Sequence, residues 1–134
     1  MCNMKCEHCP SARFQGRTDK RKLTPKDVAF LAKQADEMGL ARFVISGGEP
    51  TIFPDLDELV AAIDPEKFYI NSDSNGYLLA EKAEHMKKIG IDRIQLSIDS
   101  LDAEEHDTFR RMPGAHKRAM EGIKECQRIG LPTT

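Results

Sequence analysis

The sequence predicts an α/β fold in which parallel strands alternate with crossover helices. Short apolar runs rich in β-forming residues, Arg42 to Ser46, Phe68 to Ile70 and Arg93 to Ile98, are separated by amphipathic segments long enough for helices. Met38-Gly39-Leu40, Ile89-Gly90-Ile91 and Ile129-Gly130-Leu131 each close a helical pattern with a glycine, and the first two lead straight into a strand with no hairpin turn between. A helix, glycine, strand unit repeated through right-handed crossovers builds a parallel sheet or part of a barrel.

The elements follow in order. Thr24-Pro25 starts the first helix, with a hydroxyl at the N-cap and a proline where its missing N–H costs nothing, and Val28, Leu31, Ala32 and Ala35 form its apolar stripe up to Gly39. The strand Arg42 to Ser46 comes next. Asp55 can cap a second helix with the stripe Leu56, Leu59, Val60 and Ile63, and Pro65 lies just beyond its end. After the strand at Phe68 a third helix runs through Leu79, Ala83 and Met86 to Gly90, and the strand Arg93 to Ile98 follows it. A last helix carries Ala119, Ile123 and Cys126 on one face and stops at Gly130. No apolar strand precedes Cys2, and Pro132-Thr133-Thr134 stands where a further strand is due. Both edges of the predicted sheet are therefore expected to be unfinished, with Arg93 to Ile98 an exposed edge that favours association and marginal stability.

Composition narrows the function classes. The 134 residues are 31% charged and 40% hydrophobic, enough for one globular domain that buries roughly two thirds of its unfolded surface without disulfides. No run approaches the roughly 18 apolar residues of a membrane span, and no signal peptide opens the chain, so a cytoplasmic protein without a membrane partner is expected. A formal net charge of -2 does not suit a protein that holds nucleic acid through phosphate contacts.

Three of the four cysteines, Cys2, Cys6 and Cys9, fall in one C-x3-C-x2-C loop. In a reducing compartment such clustering points to metal ligation or thiol chemistry. A tight loop can turn all three sulfurs toward one face of a cubane, and three ligands leave one iron of a [4Fe-4S] cluster open. A zinc site of three cysteines and His8 is the alternative, made awkward by the adjacency of His8 and Cys9; a loop that binds nothing is another. Ser46-Gly47-Gly48-Glu49-Pro50 follows the first strand, and its glycines can open backbone groups to a ligand at the strand end where parallel folds place their sites.

Together the three-cysteine loop and Gly47-Gly48-Glu49-Pro50 one βα unit later resemble the radical S-adenosylmethionine (radical SAM) superfamily. The resemblance implies part of that family's partial (β/α) barrel, about three to four βα units of it over residues 1–134, without its first strand and C-terminal part. It implies a [4Fe-4S] cluster on Cys2, Cys6 and Cys9, SAM as second cofactor, and reductive cleavage of SAM to a 5′-deoxyadenosyl radical that abstracts hydrogen from a substrate. It also implies SAM contacts from Gly47, Gly48, Glu49 and Pro50, from Asn75 in the polar segment ending Asn75-Gly76, from Ser97 and Asp99, and from an arginine of Phe109-Arg110-Arg111, with Arg110 chosen to pair with the SAM carboxylate. Residue by residue, Ser97 and Asp99 can also be helix caps, and Asn75-Gly76 a turn. Ser97 to Asp102 and Phe109 to Arg111 are most similar to molybdenum-cofactor biosynthesis proteins and peptide-modifying members, which implies a small-molecule or peptide substrate without naming one. The rival from another class is a non-catalytic iron-sulfur or zinc module.

Other residues carry less. Cys126 is expected in the core, and His85, His106 and His116 on the solvated surface. Arg13, Arg17, Lys20, Arg21 and Lys22 against Asp19 make a basic loop, a solvated segment or a docking patch for an acidic electron donor such as a flavodoxin or ferredoxin.

Overall fold

A computed structural model describes residues 1–10 and 23–134, so the basic stretch from Arg13 to Lys22 lies outside the described residues. The chain runs α1 (Pro25–Glu37), β1 (Arg42–Ile45), a 3-10 turn (Pro50–Ile52), α2 (Leu56–Ile63), β2 (Tyr69–Ser74), α3 (Leu79–Lys88), β3 (Arg93–Leu96), α4 (Ala103–Arg110) and α5 (Ala115–Ile129). The strands form one parallel sheet in the order β1-β2-β3, with Val44 opposite Asn71 and Asp73 opposite Gln95. The expected parallel α/β architecture is what the chain adopts.

Local chemistry sets the helix ends. Thr24 caps α1 by accepting from the Asp27 N–H at 3.2 Å, while the Asp27 carboxylate accepts from the Thr24 N–H at 2.9 Å. Gly39, Gly90 and Gly130 stand at φ 72°, 102° and 67° just past α1, α3 and α5. Asp55 sits at the N-cap of α2 but its side chain makes no capping bond there.

Strand alternation divides the sheet into two faces. Ile70, Ile94 and the partly buried Phe43, Ile45 and Leu96 pack into the main core with Val60, Leu79, Ala83, Met86 and Cys126 from the helices. Tyr69, Asn71 and Asp73 alternate with them onto the opposite face, beside Arg93 and Gln95 of β3. Cys126 is fully buried and burial pushes its thiol up to about 11, as its core position requires. A smaller cluster of Met4, Cys6 and Ala115, flanked by Tyr77 and Met112, anchors the N-terminal loop against the start of α5.

Two expectations are corrected, and one helix is added. The outer side of β3 is not bare: the Ile94 N–H donates to the Pro132 carbonyl at 3.0 Å, Leu96 to Thr134 at 2.7 Å, and Thr134 back to Ile94 at 3.0 Å. The last residues thus begin a third parallel pairing, at the place where the glycine pattern puts a further strand. Helix α4 was not anticipated; Asp102 caps it, its side chain accepting from the Glu104 and Glu105 N–H groups. Its inner face carries His106 and Arg110 one turn apart, both buried, so His106 is a core histidine and not a solvated one. His85 does lie at the surface, 2.8 Å from Asp57.

Candidate active site

The C-terminal ends of the strands and the N-terminal loop close around one cavity of about 430 Å³. Cys2, Cys6 and Cys9 line it from the loop, Gly47, Gly48 and Glu49 from the end of β1, Asn75 from the end of β2, Ser97 from the end of β3, and Arg110 from α4. Nine of the eleven residues singled out from sequence therefore meet in one place. Pro50 is buried in the 3-10 turn and Asp99 stands behind Arg110, neither forming the cavity wall. His8, Asp73 and Ser74 belong to the wall as well.

Glu49 is 2% exposed and its carboxylate holds the site together. Oε1 accepts from the Thr51 N–H at 3.1 Å, the Thr51 hydroxyl at 2.7 Å and the Ser74 hydroxyl at 2.8 Å, while Oε2 accepts from the Asn75 N–H at 2.7 Å. One carboxylate thus ties the end of β1 to the end of β2. Asn75 passes the connection on, its Nδ2 lying 2.8 Å from Asn3 Oδ1 and 3.9 Å from Cys2 Sγ. The Glu49 N–H donates to the Met1 carbonyl at 2.9 Å, which brings the chain start so close that a Cβ on Gly48 would lie 1.6 Å from that oxygen. No side chain fits at residue 48.

The other wall is built by the C-terminal end of α4. The Glu7 N–H donates to the Phe109 carbonyl at 3.0 Å, the His8 ring stacks on Phe109 at 4.6 Å, and Arg110 reaches Cys6 with Nη1 at 3.8 Å from Sγ. His8 is thereby committed to Phe109. Of the two adjacent arginines, Arg110 is turned into the site, while Arg111, at φ 51°, runs along the surface to Glu7 at 3.4 Å. Arg110 Nε donates to Asp99 Oδ2 at 2.5 Å. Burial works against the guanidinium charge, but the hydrogen bond and charge of Asp99 outweigh it and hold the Arg110 pKa above its ordinary value. Behind them the Asp99 N–H donates to His106 Nδ1 at 3.2 Å, which fixes the His106 proton on Nε2.

His106 also supplies a pH test. Burial, reinforced by the charge of Arg110, lowers its pKa, so the folded state favours the neutral ring. A depressed histidine contributes stability above its unfolded pKa of about 6.5 and loses it as pH falls through the folded value. Denaturant melts from about pH 7 to about pH 5 should therefore show a steeper loss of stability for the wild type than for His106→Asn, whose Oδ1 preserves the acceptor for Asp99. Equal slopes would mean that His106 does not titrate with folding.

The donor set can be weighed against the group that the cysteine spacing suggests. All three thiols are free and share one cavity wall, and the Cys2 thiol is raised first by burial and further by Glu49, Cys6 and Cys9, which places the sulfurs within electrostatic reach of each other. Among the described residues no three His, Cys, Asp or Glu side chains converge on a point fit for a single ion. Three separated thiols around an open cavity suit a multi-iron cluster better than one zinc ion. Asp73 adds a buried Oδ1 at the same wall that has no hydrogen-bond partner among the described residues.

Comparison with known proteins settles the family. The sequence profile of the Radical SAM superfamily matches residues 1–134. The chain belongs to the Radical SAM superfamily. Among its relatives are a probable GTP 3′,8-cyclase of Methanocella arvoryzae, 32% identical over 97% of this chain and 41% of the relative, and an AdoMet-dependent heme synthase of Methanosarcina barkeri, 32% identical over 98% of this chain and 38% of the relative. In fold, the radical SAM chain is similar to Streptococcus suis SuiB bound to S-adenosylmethionine, with TM-score 0.77 and 24% identity over 98% of this chain and 30% of SuiB. It spans less than half the length of these relatives. Membership of the family implies SAM and an iron-sulfur cluster as cofactors. Among the described residues no helix is long and apolar enough to cross a membrane.

Proposed function

We propose that Cys2, Cys6 and Cys9 hold a [4Fe-4S] cluster, that SAM binds beside it in the same cavity, and that the whole protein cleaves SAM reductively to attack a substrate C–H bond. The observation that carries this reading is the convergence of the three free thiols with the ends of all three strands on one cavity of about 430 Å³, large enough for a cluster and part of a nucleoside. When bound, the cluster supplies the electron that breaks a sulfonium C–S bond and releases a 5′-deoxyadenosyl radical.

The chain's own residues supply position and shelter. Gly47 and Gly48 bring bare backbone to the cavity, and Ser97 and Asn75 add polar groups at the neighbouring strand ends. The unpartnered Asp73 Oδ1 suits a hydroxyl donor, such as a ribose presents. Arg110 has five N–H groups, more than Asp99 and Cys6 use, and can also meet the SAM carboxylate. Glu49, Pro50 and Asp99 act one step back, by fixing Asn75, the 3-10 turn and Arg110.

The substrate is a small molecule or a peptide; relatives include a probable GTP 3′,8-cyclase, and SuiB has been solved with its precursor peptide SuiA. An acidic electron donor completes the reaction, and neither nucleic acid nor membrane takes part. Anaerobic reconstitution with iron and sulfide, followed by SAM and a reductant, should yield a cluster and 5′-deoxyadenosine from the protein in its natural full length. Iron without 5′-deoxyadenosine would leave a non-catalytic iron-sulfur protein.

A further inference from the structure

We propose that Arg110 is an outer-sphere donor to the Cys6 sulfur that raises the reduction potential of the cluster, and that Asp99 sets how much of its charge the cluster feels. The inference rests on the cluster assignment above, and concerns a different role from any contact Arg110 makes with SAM.

The contact between Arg110 and Cys6 is built in from both sides. Glu7, next to Cys6, is bonded to the carbonyl of Phe109, next to Arg110, and His8 stacks on the Phe109 ring. Those contacts fix the cysteine loop against the end of α4 and bring Nη1 to 3.8 Å from Cys6 Sγ. Arg110 is 6% exposed and Cys6 8%, so little water screens the charge. Arginine does not deprotonate in proteins, which makes this a permanent positive charge beside one ligand of the cluster. One-electron reduction adds negative charge to an iron-sulfur cluster, and hydrogen bonds and cations at its sulfurs favour the reduced form. Asp99, held to Arg110 Nε and fixed from behind by His106, offsets part of that charge.

The electrostatics dictate opposite signs. Arg110→Gln removes the cation and lowers the potential, whereas Asp99→Asn removes the offsetting carboxylate and raises it. A merely structural role, in which either change loosens the loop, moves both variants the same way. The test is a redox titration followed by electron paramagnetic resonance on the reconstituted wild type, Arg110→Gln, Arg110→Lys and Asp99→Asn, without SAM, each with its iron content and circular dichroism. The expected order runs from Arg110→Gln, lowest, through Arg110→Lys and wild type to Asp99→Asn, highest. Shifts of the same sign, or none, overturn the proposal. So does loss of the cluster from both arginine variants while Asp99→Asn retains it, which would make Arg110 a structural support of the loop. A wild type that takes up no cluster overturns the cofactor reading itself; one that loads and cleaves SAM but shows unshifted variants overturns only the tuning.

Discussion

Replacing Cys2, Cys6 or Cys9 with Ala should abolish retention of iron and sulfide after anaerobic reconstitution, while Cys126→Ala keeps both. The three loop thiols line one cavity and no other thiol reaches it among the described residues. Taking away one of the three proposed protein ligands would leave a cubane with two open irons held by only two thiolates. Cys126 has the opposite surroundings: it is fully buried among Ile70, Leu79, Ala83 and Met86, and its raised thiol stays protonated at neutral pH. Removing its sulfur costs about 1 kcal/mol of packing, roughly that of a methylene group, and no cofactor. Iron analysis and the visible absorption of each variant decide the matter. Loss of the cluster from Cys126→Ala, or its survival in Cys6→Ala, would sink the ligand assignment.

Much of the fold is legible in the sequence, and the reason is local. Each strand announces itself by β-forming residues and each helix by a stripe with a glycine after it, signals carried within a few positions of the chain. The candidate site was legible because strand ends bring sequence-distant motifs to one rim, so motifs placed after Ile45, Ser74 and Leu96 had to meet. What could not be read depends on partners remote in sequence. Asp102 with Glu105 three residues on is a capping signal that marks α4, yet the burial of His106 follows only from how that helix docks against α5. Glu49 reads as a cavity residue, and its side chain is in fact committed to Thr51, Ser74 and Asn75, two of them over 20 residues away. The choice between Arg110 and Arg111 turned on one residue of left-handed backbone at 111.

That inward commitment makes Glu49 a sensitive polar position. Glu49→Ala strands four buried donors, the N–H and hydroxyl of Thr51, the hydroxyl of Ser74 and the N–H of Asn75. Each unmade bond costs about 1–3 kcal/mol when the donor stays buried, and water entering the vacated space recovers part of it, so a loss of about 3–5 kcal/mol is expected. Against a typical total of about 5–15 kcal/mol this is a large fraction. Glu49→Gln keeps Oε1 for three of the donors but sets an amide NH2 against the Asn75 N–H, and should cost about 1–3 kcal/mol. Ser74→Ala removes one donor to Glu49 and one acceptor from the Gly76 N–H, and should cost about as much as Glu49→Gln or less. The Gln variant has a second consequence, because Asn75 is the link from Glu49 to Asn3 and Cys2: its release loosens the cysteine loop, and iron retention should fall before the fold is lost. Urea melts give the order of stabilities, and iron content gives the loop effect. A Glu49→Ala protein as stable as wild type, or a Glu49→Gln protein that melts like Glu49→Ala but holds iron normally, would show that this carboxylate does not join the two strand ends.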